Sequence, residues 1–414
     1  DPRLEAGYRA AEAWVRPARA PRGDAMTKFA ALRSVEAACG HQAKLAPVAV
    51  SFEPNVNPAG VEQAACTSCG DCCGGCNVGA KNAVALTYLP DAHRHGAAIF
   101  TGGTVRSVAR SDDGGWRVDV VPTGGPVDAV RTVSARMVVL AAGTLGSTEI
   151  LLRSRELGLA LSDRLGHGFS GNGDIIAFGY GARMPVRSVG VGHPAKVEGM
   201  EIGAAVTGQI EIDDVDDFTR SLIVQEGAIP SALAPALPLA FVPNGRLLGA
   251  LSSLVKGVYA GPFAHLQTFF AVGHDTGNGR LTLDGDRIAL SWPDAAAEPV
   301  MARLDAVLTK LVEAAGGSYV RNPLAGTVMG AQPATAHPLG GCGMGEDRTR
   351  GVVDHAGRVF DASPADTAAV HDGLYVIDGS IIPRSLGCNP LLTITALAER
   401  AVAILLAERA GRIG

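Results

Sequence analysis

The sequence predicts an α/β protein in two parts: a doubly wound, Rossmann-like domain, and an α+β domain on a mostly antiparallel sheet. Three observations predict it. The chain has 414 residues, more than one core of about 250–300 residues organises. Two apolar runs, residues 137–140 and 374–377, read as buried parallel strands, and each ends at a glycine turn. Between them, residues 175–330 read as short strands with one long helical stretch.

Composition narrows the class. Apolar residues make up 47% and charged ones 19%, with a formal net charge of −5. That excludes a disordered chain, and with no basic excess neither a nucleic-acid nor an anionic-membrane partner is expected. The 53 glycines exceed the usual fraction of about 7%, which suggests tight turns or backbone pressed against a ligand. No stretch approaches the roughly 18 apolar residues of a membrane span; residues 233–242 come nearest, broken by Pro235 and Pro238. Residues 1–22 lack a basic-then-apolar leader. The chain is expected to be soluble and cytoplasmic and, opening on Asp1, to begin inside a longer protein.

The elements follow in order. Leu4, Tyr8, Ala11 and Val15 share one helix face, and Met26, Phe29, Leu32, Val35 and Ala38 a second. Residues 45–65 are Pro-rich and extended, 66–80 are rich in Cys and Gly, and 82–95 predict a helix with Ala85, Leu86 and Leu89 inward. Strands are expected at 98–100, 105–109, 116–121, 127–133 and 137–140. A helix at 147–157 follows, capped by Ser147. Further strands are expected at 175–178, 210–212, 266–272, 280–283 and 287–290, then a helix near 297–316. The strand 374–377 leads to a helix at 390–408, with Asn389 as N-cap, Pro390 at N1 and Gly411 beyond its end.

Chemistry concentrates at four places. Gly143, after the strand at 137–140, permits backbone to approach a nucleotide; a purely structural βα unit is the alternative. Asp378, before Gly379, is placed to bond a sugar hydroxyl or, through water, a diphosphate; a plain Asp-Gly turn is the alternative. The helix opening at Asn389 offers a positive dipole end to negative charge. His337, followed by Pro338 and then Gly340-Gly341, is a candidate proton acceptor with an ordinary pKa near 6.5, or a structural histidine. Two formal G-x-G-x-x-G/A matches, from Gly166 and Gly190, do not open a helix after a strand and are set aside.

Cys66, Cys69, Cys72 and Cys76 have the spacing of a bacterial ferredoxin half-motif, with Cys73 spare and Asn77 in place of the usual Pro. The readings are an iron–sulfur cluster, a zinc site, or reduced thiols or a disulfide. The clustering itself points to a reducing compartment.

Together these segments resemble the glucose–methanol–choline (GMC) family of FAD-dependent oxidoreductases, and within it the cholesterol-oxidase branch. The resemblance rests on 139–153 with Asn172-Gly173, on 337–342 and on 378–400. It implies His337 as catalytic histidine with Asn389 paired to it, the alcohol oxygen between them, and hydride passing to flavin N5. It also implies FAD contacts at Val105, Gly143, Asn172, Gly173, Asp378, Gly379, Pro390 and Leu391. The implied division is 1–79 as N-terminal helices and Cys-rich segment packed with the substrate domain, 80–175 with 352–414 as the FAD domain, and 176–351 as the substrate domain.

The substrate implied is a bulky apolar, sterol-like alcohol, with Phe218, Leu222, Phe241, Phe263, Phe269 and Phe270 available for specificity or for plain core. The acceptor is oxygen or, if the cysteines hold a cluster, a redox partner. The family's opening phosphate loop is absent, so the chain is expected to be truncated and to hold FAD weakly. No acid lies at 263–272 to isomerise a product double bond; Glu226 and Asp275 are the nearest candidates. An iron–sulfur electron-transfer or metal-binding protein on a non-catalytic body of this kind is the alternative function.

Overall fold

Five sheets and the helices around them make up the computed structural model, which describes residues 1–241, 256–321, 323 and 334–410. The strands are β1 (Ala43–Leu45), β2 (Asn55–Val56), β3 (Glu62–Gln63), β4 (Gly103–Arg110), β5 (Trp116–Pro122), β6 (Arg131–Ala135), β7 (Val138–Leu140), β8 (His167–Phe169), β9 (Ile175–Tyr180), β10 (Gly208–Ile212), β11 (Leu222–Gly227), β12 (Gln267–Val272), β13 (Gly279–Asp284), β14 (Arg287–Ser291), β15 (Ser318–Val320), β16 (Arg358–Phe360) and β17 (Val370–Val376).

The largest sheet has six strands in the order β1-β10-β11-β12-β9-β15, all antiparallel. Period-two alternation sorts its residues between two faces. Ile210, Val224, Phe269, Ala271 and Ile175 pack against Leu32 and Val35 of helix Thr27–Val35 and against Leu304, Leu308 and Leu311 of helix Pro299–Ala314. The opposite face carries a cross-strand row, Gln209–Gln225–Phe270–Ile176. One face thus makes core, and the other is a polar-centred roof.

Among the strands of the described residues, β7 and β17 pair in parallel, with β16 antiparallel on the far side of β17. This α/β component matches the expected class, while every other paired strand among the described residues is antiparallel. Helix Gly143–Glu156 packs Ile150, Leu151 and Leu152 into the core formed with Leu140, Leu374 and Val376. Trp116, fully buried, donates from Nε1 to Asp372 O at 3.0 Å and ties β5 to β17. The N-terminal helix Pro2–Val15 lies along the C-terminal helix Leu391–Glu408 so closely that a Cβ on Gly7 would stand 2.3 Å from Ala396 O.

Several expectations are corrected. The 82–95 helix is a single turn (Val84–Leu86) and a short helix (Tyr88–Arg94), with Ala85 and Leu89 exposed. Polar bonds decide which side turns inward: buried Thr87 donates to Ala83 O, and buried Asn82 donates from Nδ2 to Val15 O at 2.9 Å. Asn82→Ala should therefore cost about 1–2 kcal/mol, read as a lower urea midpoint. Residues 98–100 form no strand, and Phe100 is 90% exposed. The helix expected from Ser147 begins one turn earlier, at Gly143, and the Ser147 hydroxyl donates to Asp378 while accepting from Ala142 N. Asn389 does not cap the last helix, whose flanking residue is Pro390; its side chain bonds Gln225 instead. Gly411 lies outside the described residues.

Candidate active site

The two parallel strand ends meet at Asp378. Its Oδ2 accepts from Gly143 N at 2.9 Å and Ser147 Oγ at 2.5 Å, and its Oδ1 accepts from Ser380 N at 2.8 Å and Ser380 Oγ at 2.5 Å. Four donors saturate a carboxylate, so Asp378 clamps the β7 and β17 ends together, and its oxygens are already engaged by protein. Gly143 takes a φ of +75°, and a Cβ there would meet nothing within 4 Å. Open space beside a strand end at a helix start is the cradle a dinucleotide needs, so these residues fit FAD. Gly379 is buried, and its carbonyl accepts from Gly340 N at 3.2 Å, which brings the 337–342 loop alongside. Leu391, first residue of the last helix, is 46% exposed. Val105 sits apart on β4, packed against the parallel-pair core.

His337 is held from one side. Its Nδ1 lies 2.8 Å from Asp174 Oδ1, while Asp174 Oδ2 accepts from Ala336 N at 2.8 Å and His337 N at 3.1 Å. Asp174 is 7% exposed. A carboxylate accepts only, so the imidazole proton sits on Nδ1 and Nε2 presents a lone pair. Sequence reasoning missed Asp174; the one signal was its place directly after Asn172-Gly173.

Asn172 ties down the other loop. Fully buried with φ +57°, it donates from Nδ2 to Cys388 O at 2.9 Å, and its Oδ1 accepts from Leu386 N at 2.8 Å and Gly387 N at 3.1 Å. Next along the chain is Asn389, whose Oδ1 accepts from Gln225 Nε2 at 2.8 Å. One turn, Asn172–Gly173–Asp174, thus anchors both the histidine loop and the asparagine loop. Gln225, equally unforeseen, reaches Asn389 from the roof of the large sheet.

The two candidate isomerising acids are spoken for. Asp275 receives Ser170 Oγ at 2.7 Å, Gly173 N at 2.9 Å and Gly277 N at 3.0 Å, and burial raises its pKa. Glu226 points to the helix-covered face, fully buried against Lys28 Nζ at 2.6 Å. Phe241, Phe263, Phe269 and Leu222 are core, Phe270 is half-buried on the roof face, and Phe218 is 57% exposed beneath the Arg384 guanidinium. A mostly apolar cavity of about 290 Å³ abuts Asp174, lined by Phe169, Leu290, Trp292, Met301 and Thr335.

Cys66, Cys69, Cys72 and Cys76 are near enough to influence one another, and burial pushes the Cys66 thiol up to about 11. Burial raises Cys72 as well. Among the described residues, no three His, Cys, Asp or Glu side chains gather as ligands would. The geometry does not fit the iron–sulfur or zinc reading, and no chemistry is routed through it.

The site thus joins a parallel strand end, closed at Asp378, to a loop carrying the His337–Asp174 pair. Two profiles described as GMC oxidoreductase match residues 50–170 and 303–398, just over half of the chain. The chain belongs to the GMC oxidoreductase family, whose members bind FAD. A cholesterol oxidase of Mycobacterium tuberculosis is 26% identical over 391 residues, covering 85% of this chain and 61% of that protein. A long-chain-alcohol oxidase of Arabidopsis thaliana is 24% identical over 372 residues, covering 80% of this chain and 45% of its own length. The pyridoxine 4-oxidase structure from Mesorbium loti aligns with a TM-score of 0.53 at 18% identity, over 96% of this chain and 72% of that one, which is a likeness of fold. The chain spans about three fifths of the cholesterol oxidase's length.

Proposed function

We propose that the protein is an FAD-dependent oxidoreductase that converts the CH–OH group of a bulky apolar alcohol to a carbonyl. The observation that carries this reading is the His337–Asp174 pair, which leaves Nε2 as a proton acceptor, anchored to the same turn as the Asn389 loop. His337 Nε2 takes the hydroxyl proton. Asn389, its oxygen occupied by Gln225, offers its NH2 to the alcohol oxygen and holds the carbon in place. Gly143, Gly379, Pro390 and Leu391 line the cofactor's place, Asn172 and Gly173 anchor the loop beside it, and Asp378 fixes the frame. When bound, FAD supplies the acceptor for the hydride lost by the alcohol carbon.

The names of the sterol and long-chain-alcohol oxidase relatives support an apolar alcohol. Those names also make oxygen the proposed acceptor. The test adds cholesterol or 1-hexadecanol, in detergent, to FAD-loaded protein without oxygen. Bleaching of the flavin absorbance with at least one, and recovery on admitting air, is expected. A flavin that stays oxidised with both would sink the substrate class.

A further inference from the structure

A side-chain amide can be turned end for end, so its donor or acceptor sense is set by its neighbours. Asn389 Oδ1 accepts from Gln225 Nε2 at 2.8 Å, and the same nitrogen donates to Gln209 Oε1 at 3.0 Å. Gln209 in turn donates from Nε2 to Glu211 Oε1 at 2.6 Å. Gln209 and Gln225 are directly paired across β10 and β11 on the roof face, and both are buried. The chain of amides therefore runs from the proposed catalytic loop to Glu211, half-buried at the end of its row.

Of these four groups only the carboxylate has a single sense, because it accepts and cannot donate. It turns the Gln209 NH2 toward itself and so turns the Gln209 oxygen toward Gln225. Gln225 must answer with its NH2, whose second hydrogen meets the Asn389 oxygen. The Asn389 NH2 is then the end left for a ligand. With the chain reversed, the Gln209 carbonyl would face the Glu211 carboxylate, two acceptors without a proton between them. We infer that Glu211, three hydrogen bonds away, is a positioning residue that fixes Asn389 as a donor. Lys44 on β1 binds the other Glu211 oxygen from the solvent side. The inference rests on the role given to Asn389 above, but the relay itself is observable without catalysis.

The test uses protein labelled with 15N in its Asn and Gln amides, with the Asn389 signals assigned by their loss in Asn389→Asp. Glu211→Ala should leave the Gln209, Gln225 and Asn389 side-chain amides shifted and exchanging faster with water. It should also slow anaerobic flavin reduction by the alcohol about tenfold with KM little changed. Glu211→Gln, whose amide oxygen Lys44 holds so that its NH2 faces Gln209, should reverse the chain and shift the same amides as Glu211→Ala. Lys44→Met, which removes only the outer ion pair, should leave the amide signals in place. Amide signals unchanged in Glu211→Ala would overturn the relay. Amides disturbed while flavin reduction stays normal would uphold the relay and overturn the catalytic role of Asn389.

Discussion

His337→Ala should slow reduction of bound flavin by about 10²–10⁴-fold, the usual worth of a positioned general base, with alcohol binding little affected. Asp174→Asn should approach the same loss without removing the imidazole. The reason lies in how Asp174 is gripped. Its Oδ2 receives the backbone N–H groups of Ala336 and His337, so the asparagine replacement must keep its oxygen there. Its NH2 then stands where Oδ1 faced His337 Nδ1, forcing Nδ1 to accept and moving the ring proton to Nε2. The base becomes a donor. Stopped-flow absorbance without oxygen would measure both variants. A rate for Asp174→Asn within threefold of the parent would show that the tautomer does not matter, and a normal rate for His337→Ala would remove that residue from the reaction.

What sequence patterning made legible, and what it did not, follows from the range of each interaction. The helix at 299–314 shows itself because Val300, Leu304, Leu308 and Leu311 recur on one face and all meet the same sheet. Strands β13 and β14 show themselves through short runs beside a Gly turn, and β9 and β12 as short, largely apolar runs. Gly143, Asp378 and the 337–342 loop were singled out, and the structure brings them together. Asp174 escaped because its partner is 163 positions away, and its place after Asn172-Gly173 reads equally well as a turn aspartate. Gln225 and Gln209 looked like polar strand residues, and their joint meaning exists only in the register of β10 with β11. The Ser147 cap failed similarly: a local rule offered the hydroxyl to its own helix, and a carboxylate 231 residues away took it. Spacing alone likewise grouped the four cysteines, but a ligand sphere needs convergence, and among the described residues no such group forms.

Lys28→Met should destabilise the fold by about 3–5 kcal/mol, because it strands a buried charge. Both partners of this ion pair are fully buried, and desolvation drives each toward its neutral form, lowering the Lys28 pKa and raising that of Glu226. Lys28 Nζ also donates to Thr207 Oγ1 at 2.9 Å, and Glu226 Oε1 accepts from Thr207 N and Gly208 N, both at 2.8 Å. Without Lys28, the Glu226 carboxyl stays protonated in the folded state well above its unfolded pKa of about 4.3. A raised folded pKa contributes stability below the unfolded value that is lost as pH rises. The deficit of Lys28→Met relative to the parent should therefore shrink toward pH 5 and grow toward pH 8. Glu226→Gln keeps an oxygen for the two backbone donors and carries no charge, so the double variant Lys28→Met/Glu226→Gln should recover most of the loss. Urea unfolding of the parent and both variants at pH 5, 6.5 and 8 reads this directly. A pH-independent deficit, or a double variant no better than Lys28→Met, would mean that packing of the lysine stem, and not its charge, is what holds Thr27–Val35 against the sheet.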